Sequence, residues 1–151
     1  MTFATGRSLG SVGKPKKLQL GADMTIPATV FFIGLFALIQ VPLTVRVGYR
    51  RVQTNIQFLD GGDQTLLRRM RAHANYTENV PIVLLAMAGA ELAQAPQWLL
   101  LAGGIGLLVG RLMHAAILVL KGWGLPRAVG MILTFLPMLA FGGWCVARAF
   151  R

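Results

Sequence analysis

The sequence has few acidic residues and almost no cysteine. Asp and Glu number 5 against 15 Lys and Arg, and Cys145 is the single cysteine. One cysteine excludes a disulfide framework and leaves no metal-ligand spacing, so we expect no metal site and a buried core thiol at Cys145. Charged residues make up 13% of the chain, whereas soluble globular proteins carry about 25%. The low charge therefore argues against a soluble protein.

Apolar residues are correspondingly frequent. They make up 55% of the 151 residues, and the mean hydropathy is +0.61. This composition is typical of an integral membrane protein. The net charge of +10 would suggest nucleic acid in a soluble protein, but here the basic residues flank apolar runs. We therefore expect the lipid bilayer and an anionic ligand as partners, and no nucleic acid.

Four apolar stretches are long enough to form transmembrane helices. About 20 helical residues, at 1.5 Å each, span a hydrocarbon core of ~30 Å. The predicted helices cover residues 26–45, 65–93, 98–120 and 128–146. The sequence thus predicts an all-α fold, an integral membrane four-helix bundle in residues 24–151, preceded by a basic N-terminal tail, residues 1–23. The turn Asp60-Gly-Gly-Asp63 predicts that Asp63 or Thr65 caps the second helix.

Basic residues at the helix ends predict how the chain sits in the membrane. Eight flank the spans on the side of loop 1 (residues 47–64) and loop 3 (residues 121–127), against six on the opposite side. The positive-inside rule then places loops 1 and 3 in the cytoplasm. The tail, residues 1–23, either lies on anionic headgroups or docks on a larger membrane protein complex, and we favour docking because headgroup attraction alone does not offset its backbone entropy.

The second predicted helix carries a polar stripe into the membrane. Its members are spaced three or four residues apart and share one face: Arg68, Arg71, Asn75 and Glu78. Residue His73 points elsewhere. Such a stripe must face protein, water or a ligand, because unpaired polar groups are costly in lipid.

Arg111 lies in the middle of the third predicted helix, where an unpaired arginine costs roughly 2.5 to 3.5 kcal/mol. The sequence predicts an ion pair with Glu78. Two interpretations remain open: a pair that only fixes helix register, or a polar pocket where positive groups converge on an anionic molecule. The second is favoured by the arginines near loops 1 and 3, namely Arg46, Arg71, Arg111 and Arg127.

Three short motifs carry a resemblance to a known family. They are Arg71-Ala-His-Ala-Asn-Tyr-Thr-Glu78 followed by Pro81, Val109-Gly-Arg-Leu-Met-His114, and Gly124-Leu-Pro-Arg127. Together they resemble the MAPEG family, the membrane-associated proteins in eicosanoid and glutathione metabolism. The resemblance covers residues 24 to about 150. It implies a homotrimer of four-helix subunits, with glutathione held between neighbouring subunits near the cytoplasmic face.

The resemblance also implies roles for individual residues. Those that would contact glutathione are Arg46, Arg71, Asn75, Glu78 and His114. His114 would come from a neighbouring subunit, and Arg46 would bind a glutathione carboxylate. Arg127 would stand beside the sulfur, where a guanidinium favours the thiolate, which makes it the implied catalytic residue. We therefore expect Arg71, Asn75, His114 and Arg127 to border one cleft.

The function implied by the resemblance is that of a membrane-bound glutathione transferase or peroxidase acting on hydrophobic electrophiles from the bilayer. Three positions differ from enzymes of the eicosanoid branch, which often carry tyrosines or a polar residue there: Leu118, Ala128 and Met131. A second interpretation is therefore a non-catalytic MAPEG-like structural or accessory subunit of a larger membrane protein complex.

Overall fold

Four helices follow one another in the computed structural model, which describes residues 25–120 and 124–150. They are α1 (Pro27–Thr54), α2 (Gln64–Leu92), α3 (Gln97–Leu120) and α4 (Leu125–Ala149). Within these ranges every regular element is a helix, so the predicted all-α class is confirmed. The tail, residues 1–23, lies outside the described residues, and its docking on a partner stays a prediction.

Three of the helices, α1, α3 and α4, are long and apolar enough to cross a membrane. Only 17% to 33% of the residues in their apolar windows are buried inside the subunit. The remaining apolar surface must face lipid or another protein chain, because water would not solvate it favourably. The chain is an integral membrane protein. In α2 the first three turns are rich in arginine, and the apolar run begins only at Val80.

Helix α1 is longer than predicted. The expected end was residue 45, where the apolar run stops, but the helix continues to Thr54 and carries Arg46 and Arg50 on its last turns. Arginine is a good helix former, so the charges ended the apolar pattern without ending the helix. The true end is Asn55, which adopts a left-handed conformation (φ 54°) and donates its N–H to the carbonyl of Arg51.

The loop between α1 and α2, residues 55–63, is held at both ends. Asp63 is the N-cap of α2, as predicted, and accepts a hydrogen bond from the backbone N–H of Leu66. Nη2 of Arg50 lies 2.7 Å from Asp63 Oδ2, and this hydrogen bond is the main cause that lowers the pKa of the Asp63 carboxyl. Arg51 Nη1 donates to three loop carbonyls, those of Ile56, Gln57 and Leu59. The loop therefore has a defined shape.

Helices α2 and α3 are central, since each contacts all three other described helices, while α1 and α4 do not contact one another. The buried α2 side chains Val83 and Met87 pack against phenylalanines from α1 and α4. The rings of Phe32 and Phe141 lie over Gly104 and Gly103 of α3, where a Cβ atom would overlap them. The glycines thus let α3 pack closely against both α1 and α4.

The end of the subunit opposite the α1–α2 loop is fixed by side chains near the end of α2. Both carboxylate oxygens of Glu91 accept hydrogen bonds from the first turn of α1, at 3.0 Å from the N–H of Ala28 and 2.8 Å from that of Thr29. The sequence analysis gave Glu91, near the end of the second predicted helix, no partner. Cys145, expected to be fully buried, is only half-buried and approaches the carbonyl of Ala86 at 3.5 Å.

Candidate functional site

Arg111 is held by neutral oxygens rather than by Glu78. Its side chain is only 2% exposed, Nη1 donates to the side-chain oxygen of Asn75, and Nη2 lies 3.3 Å from the carbonyl oxygen of Gly130. The predicted ion pair with Glu78 is wrong: these two described residues form no salt bridge, and Glu78 is exposed. Asn75, one turn earlier on the same face of α2, makes the contact with Arg111 that was expected of the Glu78 carboxylate.

The close crossing of α3 and α4 explains this arrangement. Gly110 and Gly130 lack side chains, and a Cβ atom on either would lie 2.8 Å from the carbonyl oxygen of the other. The backbones therefore approach closely enough for the neighbouring Arg111 to reach Gly130 O. The sequence shows which residues are charged, but it does not show that the α3 and α4 backbones come this close. The argument from charge alone therefore missed the Gly130 carbonyl as a partner of Arg111. Among the described residues, the Arg111 guanidinium has no carboxylate within salt-bridge distance, which leaves positive charge at the core.

A polar cavity of about 120 Å³ lies between α2, α3 and the first turn of α4. Its lining is Arg71, Ala74, Asn75, Glu78, His114, Leu118 and Arg127. Five of the six predicted site residues thus meet in one subunit, and α2, α3 and the first turn of α4 each contribute. The proline at the second position of α4 preorganises that first turn, because proline suits the start of a helix. We call this space the arginine cavity.

His114 lines the arginine cavity from α3 of the same chain, because α3 packs directly on α2. Its implied contact with the glutathione of a neighbouring subunit stays a prediction. The side chain is 2% exposed, and Nε2 is a buried atom without a hydrogen-bond partner in the described part of the chain. Buried polar atoms are nearly always paired, so this nitrogen is suited to a ligand or a water molecule.

Arg46 lies outside the arginine cavity of its own subunit. Its side chain is exposed on α1, and its carbonyl oxygen accepts a hydrogen bond from Arg69 Nη1 at 3.0 Å. The seam between α1 and α2 is occupied by His73, whose Nε2 lies 3.0 Å from Gln40 Nε2 and 3.1 Å from Thr44 Oγ1. His73 therefore joins α1 to α2 and faces away from the cavity, as the helical spacing had predicted.

A second cavity adjoins the first. It measures about 330 Å³ and is lined by Leu59, Asp60, Leu67, Met70, Arg71 and Ala74. Arg71 and Ala74 line both spaces, so the two cavities are neighbours along α2. We call the second space the loop cavity, since Leu59 and Asp60 belong to the α1–α2 loop. Sequence analysis assigned Asp60 only to a turn, and nothing in the sequence indicated that it would face Arg71.

The chemistry of the arginine cavity fits glutathione in charge. Arg71 and Arg127 can bind carboxylates, Glu78 can accept from an ammonium group, and His114 offers an unpaired ring nitrogen. The volume is less favourable: about 120 Å³ is below the ~300 to 1,000 Å³ of typical ligand pockets. A whole tripeptide therefore needs more space than the arginine cavity of a single subunit offers.

Comparison with known proteins now identifies the class. The model of the MAPEG family matches residues 29–147, and the chain belongs to that family. It is similar to the inner membrane protein YecN of Escherichia coli (strain K12), with 36% identity over 86 residues that cover 57% of this chain and 66% of the relative. The YecN protein of Escherichia coli O6:H1 matches with the same identity and coverage.

The chain thus spans slightly less than two thirds of the length of these relatives. Their shared name gives a location, the inner membrane, and states no reaction. No solved structure matches the chain.

Proposed function

We propose that this protein is a membrane-bound glutathione transferase or peroxidase of the MAPEG type that acts on hydrophobic electrophiles from the bilayer. The observation that carries the proposal is the convergence of Arg71, Asn75, Glu78, His114 and Arg127 on one cavity. Membrane location and family membership agree with it. The count of basic residues beside the spans supports a cytoplasmic position for the cavity.

Arg127 is the proposed catalytic residue. A guanidinium beside the glutathione sulfur stabilises the thiolate over the thiol, and each unit by which it lowers a thiol pKa of about 8.5 corresponds to ~1.4 kcal/mol. The thiolate is the nucleophile that such a reaction requires. Arg71 and His114 would hold the peptide part, so that the sulfur stays in front of Arg127.

A homotrimer would provide the additional volume and the second arginine that a single subunit lacks. The arginine cavity is small, and Arg46 of the same chain does not line it. If a neighbouring α1 packs across the cavity mouth, it encloses additional volume and brings its own Arg46 to a glutathione carboxylate. The large exposed apolar surface of the membrane helices leaves room for such an interface.

The proposal is tested by glutathione conjugation with a generic aryl halide in detergent or reconstituted vesicles. Arg127→Gln removes the guanidinium, and we expect the rate to fall by roughly 10²- to 10³-fold, the usual effect of losing one electrostatic stabiliser. The matched control is Arg148→Gln, at the other end of α4, where the guanidinium stacks over Trp144. It should leave the rate unchanged. Absence of conjugation by the unaltered protein would contradict the proposal.

A second candidate is a non-catalytic accessory subunit. Two observations favour it: the side-chain oxygen of Asn75 already accepts from Arg111, and the apolar residues Leu118 and Met131 lie where family enzymes carry ligand groups. On this hypothesis the purified protein conjugates no electrophile, and it copurifies in a larger complex that depends on residues 1–23. The conjugation assay and a pull-down with and without the tail separate the two candidates.

A further inference from the structure

We infer that a groove between α1 and α2 binds one anionic glycerophospholipid, with the lipid phosphate at Arg69 and an acyl chain lying along the groove. The groove measures about 360 Å³, and its apolar lining includes Ile33, Phe36 and Ala37 of α1 and Val80, Pro81 and Leu84 of α2. We call it the α1–α2 groove. None of the residues that line it lines the arginine cavity, so this inference does not depend on the proposed function.

The first argument is that the groove is apolar and open. Its lining side chains are almost all hydrocarbon, and the hydroxyl of Tyr76, one of the few polar groups, already donates to the carbonyl of Phe36. Ile33, Ala37 and Pro81 are exposed, so the groove opens outward rather than into the helix bundle. An open apolar groove at membrane depth is filled by hydrocarbon, and its volume lies in the range of ligand sites, ~300 to 1,000 Å³.

The second argument is the charge beside the upper end of the groove. Arg69 Nη1 donates to the carbonyl of Arg46, the residue at which the apolar run of α1 ends. Among the described residues no carboxylate lies within salt-bridge distance of Arg69, and its buried Nε has no hydrogen-bond partner. A guanidinium has five donors, so Arg69 retains donors for a phosphate. No acidic side chain lines the groove to bind the ammonium group of a zwitterionic lipid, which favours a lipid of net negative charge.

The third argument is the order of the groups along α2. Arg69, His73 and Thr77 are four residues apart and therefore share one face. The His73 ring, with Gln40 and Thr44 of α1, forms a polar level one turn below Arg69, and the groove begins at Thr77. This succession of charged, polar and apolar groups matches the phosphate, the ester groups and the acyl chain of a phospholipid.

The length of this seam also fits one leaflet. The rise along α2 from Arg69 to Leu84 is ~22 Å. Half of a bilayer of ~40–45 Å, headgroups included, is about the same. A lipid with its phosphate at Arg69 therefore reaches Leu84 with its acyl chain near the middle of the membrane.

The phosphate contact is tested by native mass spectrometry of the full-length protein in detergent. The protein is titrated with long-chain phosphatidylglycerol and with diacylglycerol of the same acyl chains, which lacks the phosphate. Arg69→Gln removes the charge but keeps a donor for the Arg46 carbonyl. We expect it to weaken phosphatidylglycerol binding about tenfold or more, the usual effect of losing a charged hydrogen bond, and to leave diacylglycerol binding unchanged. Arg68→Gln makes the same change in charge outside the groove and should alter neither affinity.

The position of the acyl chain is tested by Ala37→Phe in the same assay. The added ring fills part of the groove, so binding of both lipids should weaken about tenfold or more, because the displaced chain loses its apolar contacts. The matched control is Leu38→Phe, at the next residue of α1, which is 72% exposed and outside the groove. It should leave both affinities unchanged.

Three results would overturn the inference. If Arg69→Gln weakens phosphatidylglycerol no more than Arg68→Gln does, the attraction is one of net charge and Arg69 does not bind the phosphate. If the unaltered protein binds no phosphatidylglycerol, the groove is not a lipid site. If Ala37→Phe changes the oligomeric state and leaves lipid binding unaltered, a neighbouring chain covers the groove instead. Each of these results leaves the proposed function standing.

Discussion

At the residue scale, the polar stripe of α2 separates into two roles. Asn75 faces the core and binds Arg111, whereas Glu78 is exposed at the edge of the arginine cavity. Helical spacing predicted that these residues share a face, and they do. Spacing could not show which of them meets Arg111, because that choice depends on how closely α4 approaches α3.

This division of roles leads to a stability prediction. Asn75→Leu removes a charged hydrogen bond from a buried guanidinium and should cost about 1.5 to 3 kcal/mol of unfolding free energy. Glu78→Gln, on the same helix face, should change stability by less than about 0.5 kcal/mol, as exposed sites usually do. Unfolding in mixed micelles measures both. If Glu78→Gln proved as costly as Asn75→Leu, the ion pair rejected above would have to be reinstated.

At the element scale, capping and turn residues determine where the helices begin and end. The limits of the apolar runs are a poorer guide. The predicted limits of α2 and α3 agree with the structure to within about one residue, because Asp63 and the turn before Gln97 are strong local signals. The prediction for α1 failed at its C-terminus, because loss of apolar character was taken for loss of helix. The first turn of α1 depends on Glu91, which is more than 60 residues away in sequence and was therefore not predictable.

The cap formed by Glu91 predicts local fraying when it is removed. Glu91→Ala leaves the N–H groups of Ala28 and Thr29 without their acceptor, and we expect a loss of about 1 to 3 kcal/mol with faster amide exchange confined to the start of α1. Glu91→Gln keeps one acceptor oxygen, so its amide exchange at the start of α1 should be faster than in the unaltered protein and slower than in Glu91→Ala. Hydrogen exchange followed by mass spectrometry reports the change. Unaltered exchange in Glu91→Ala would show that the cap does not stabilise α1.

The crossing of α3 and α4 yields a prediction with an internal control. A Cβ at Gly110 would lie 2.8 Å from a backbone oxygen of α4, so Gly110→Ala must push the helices apart and weaken the Arg111 contact with Gly130. We expect a cost of about 2 kcal/mol or more. At Gly106 the nearest atom is 3.9 Å away, so Gly106→Ala should be neutral or stabilise by up to ~1 kcal/mol through helix propensity. Equal effects from both variants would contradict the close crossing.

At the scale of the whole molecule, the chain is an integral membrane protein whose candidate site lies between α2, α3 and the start of α4. Fold class and membrane location followed from composition, and the gathering of most site residues followed from family motifs. The loop cavity beside Arg71 was not predictable, because it depends on the shape of the α1–α2 loop. Helical periodicity also carries no information on contacts between chains, so it could not predict whether a neighbour closes the site.

The proposed trimer predicts complementation between subunits. Arg46→Gln and Arg127→Gln should each inactivate homotrimers, because each removes one of the two groups at every site. In every trimer that contains both variants, one of the three sites would combine an intact Arg127 with an intact Arg46 from the neighbour, so conjugation should return to about a third. Recovery near zero in mixed trimers of confirmed composition would place both arginines at the same subunit's site or exclude Arg46 from it.

The most direct measurement of the central proposal is the ultraviolet absorbance of the glutathione thiolate as the pH is varied with protein in excess. If Arg127 stands beside the sulfur, the bound thiol should ionise well below its usual pKa of about 8.5, and Arg127→Gln should raise that midpoint by one unit or more, ~1.4 kcal/mol. The Arg148→Gln variant should titrate like the unaltered protein. Bound glutathione with the same midpoint in all three proteins would contradict the role of Arg127.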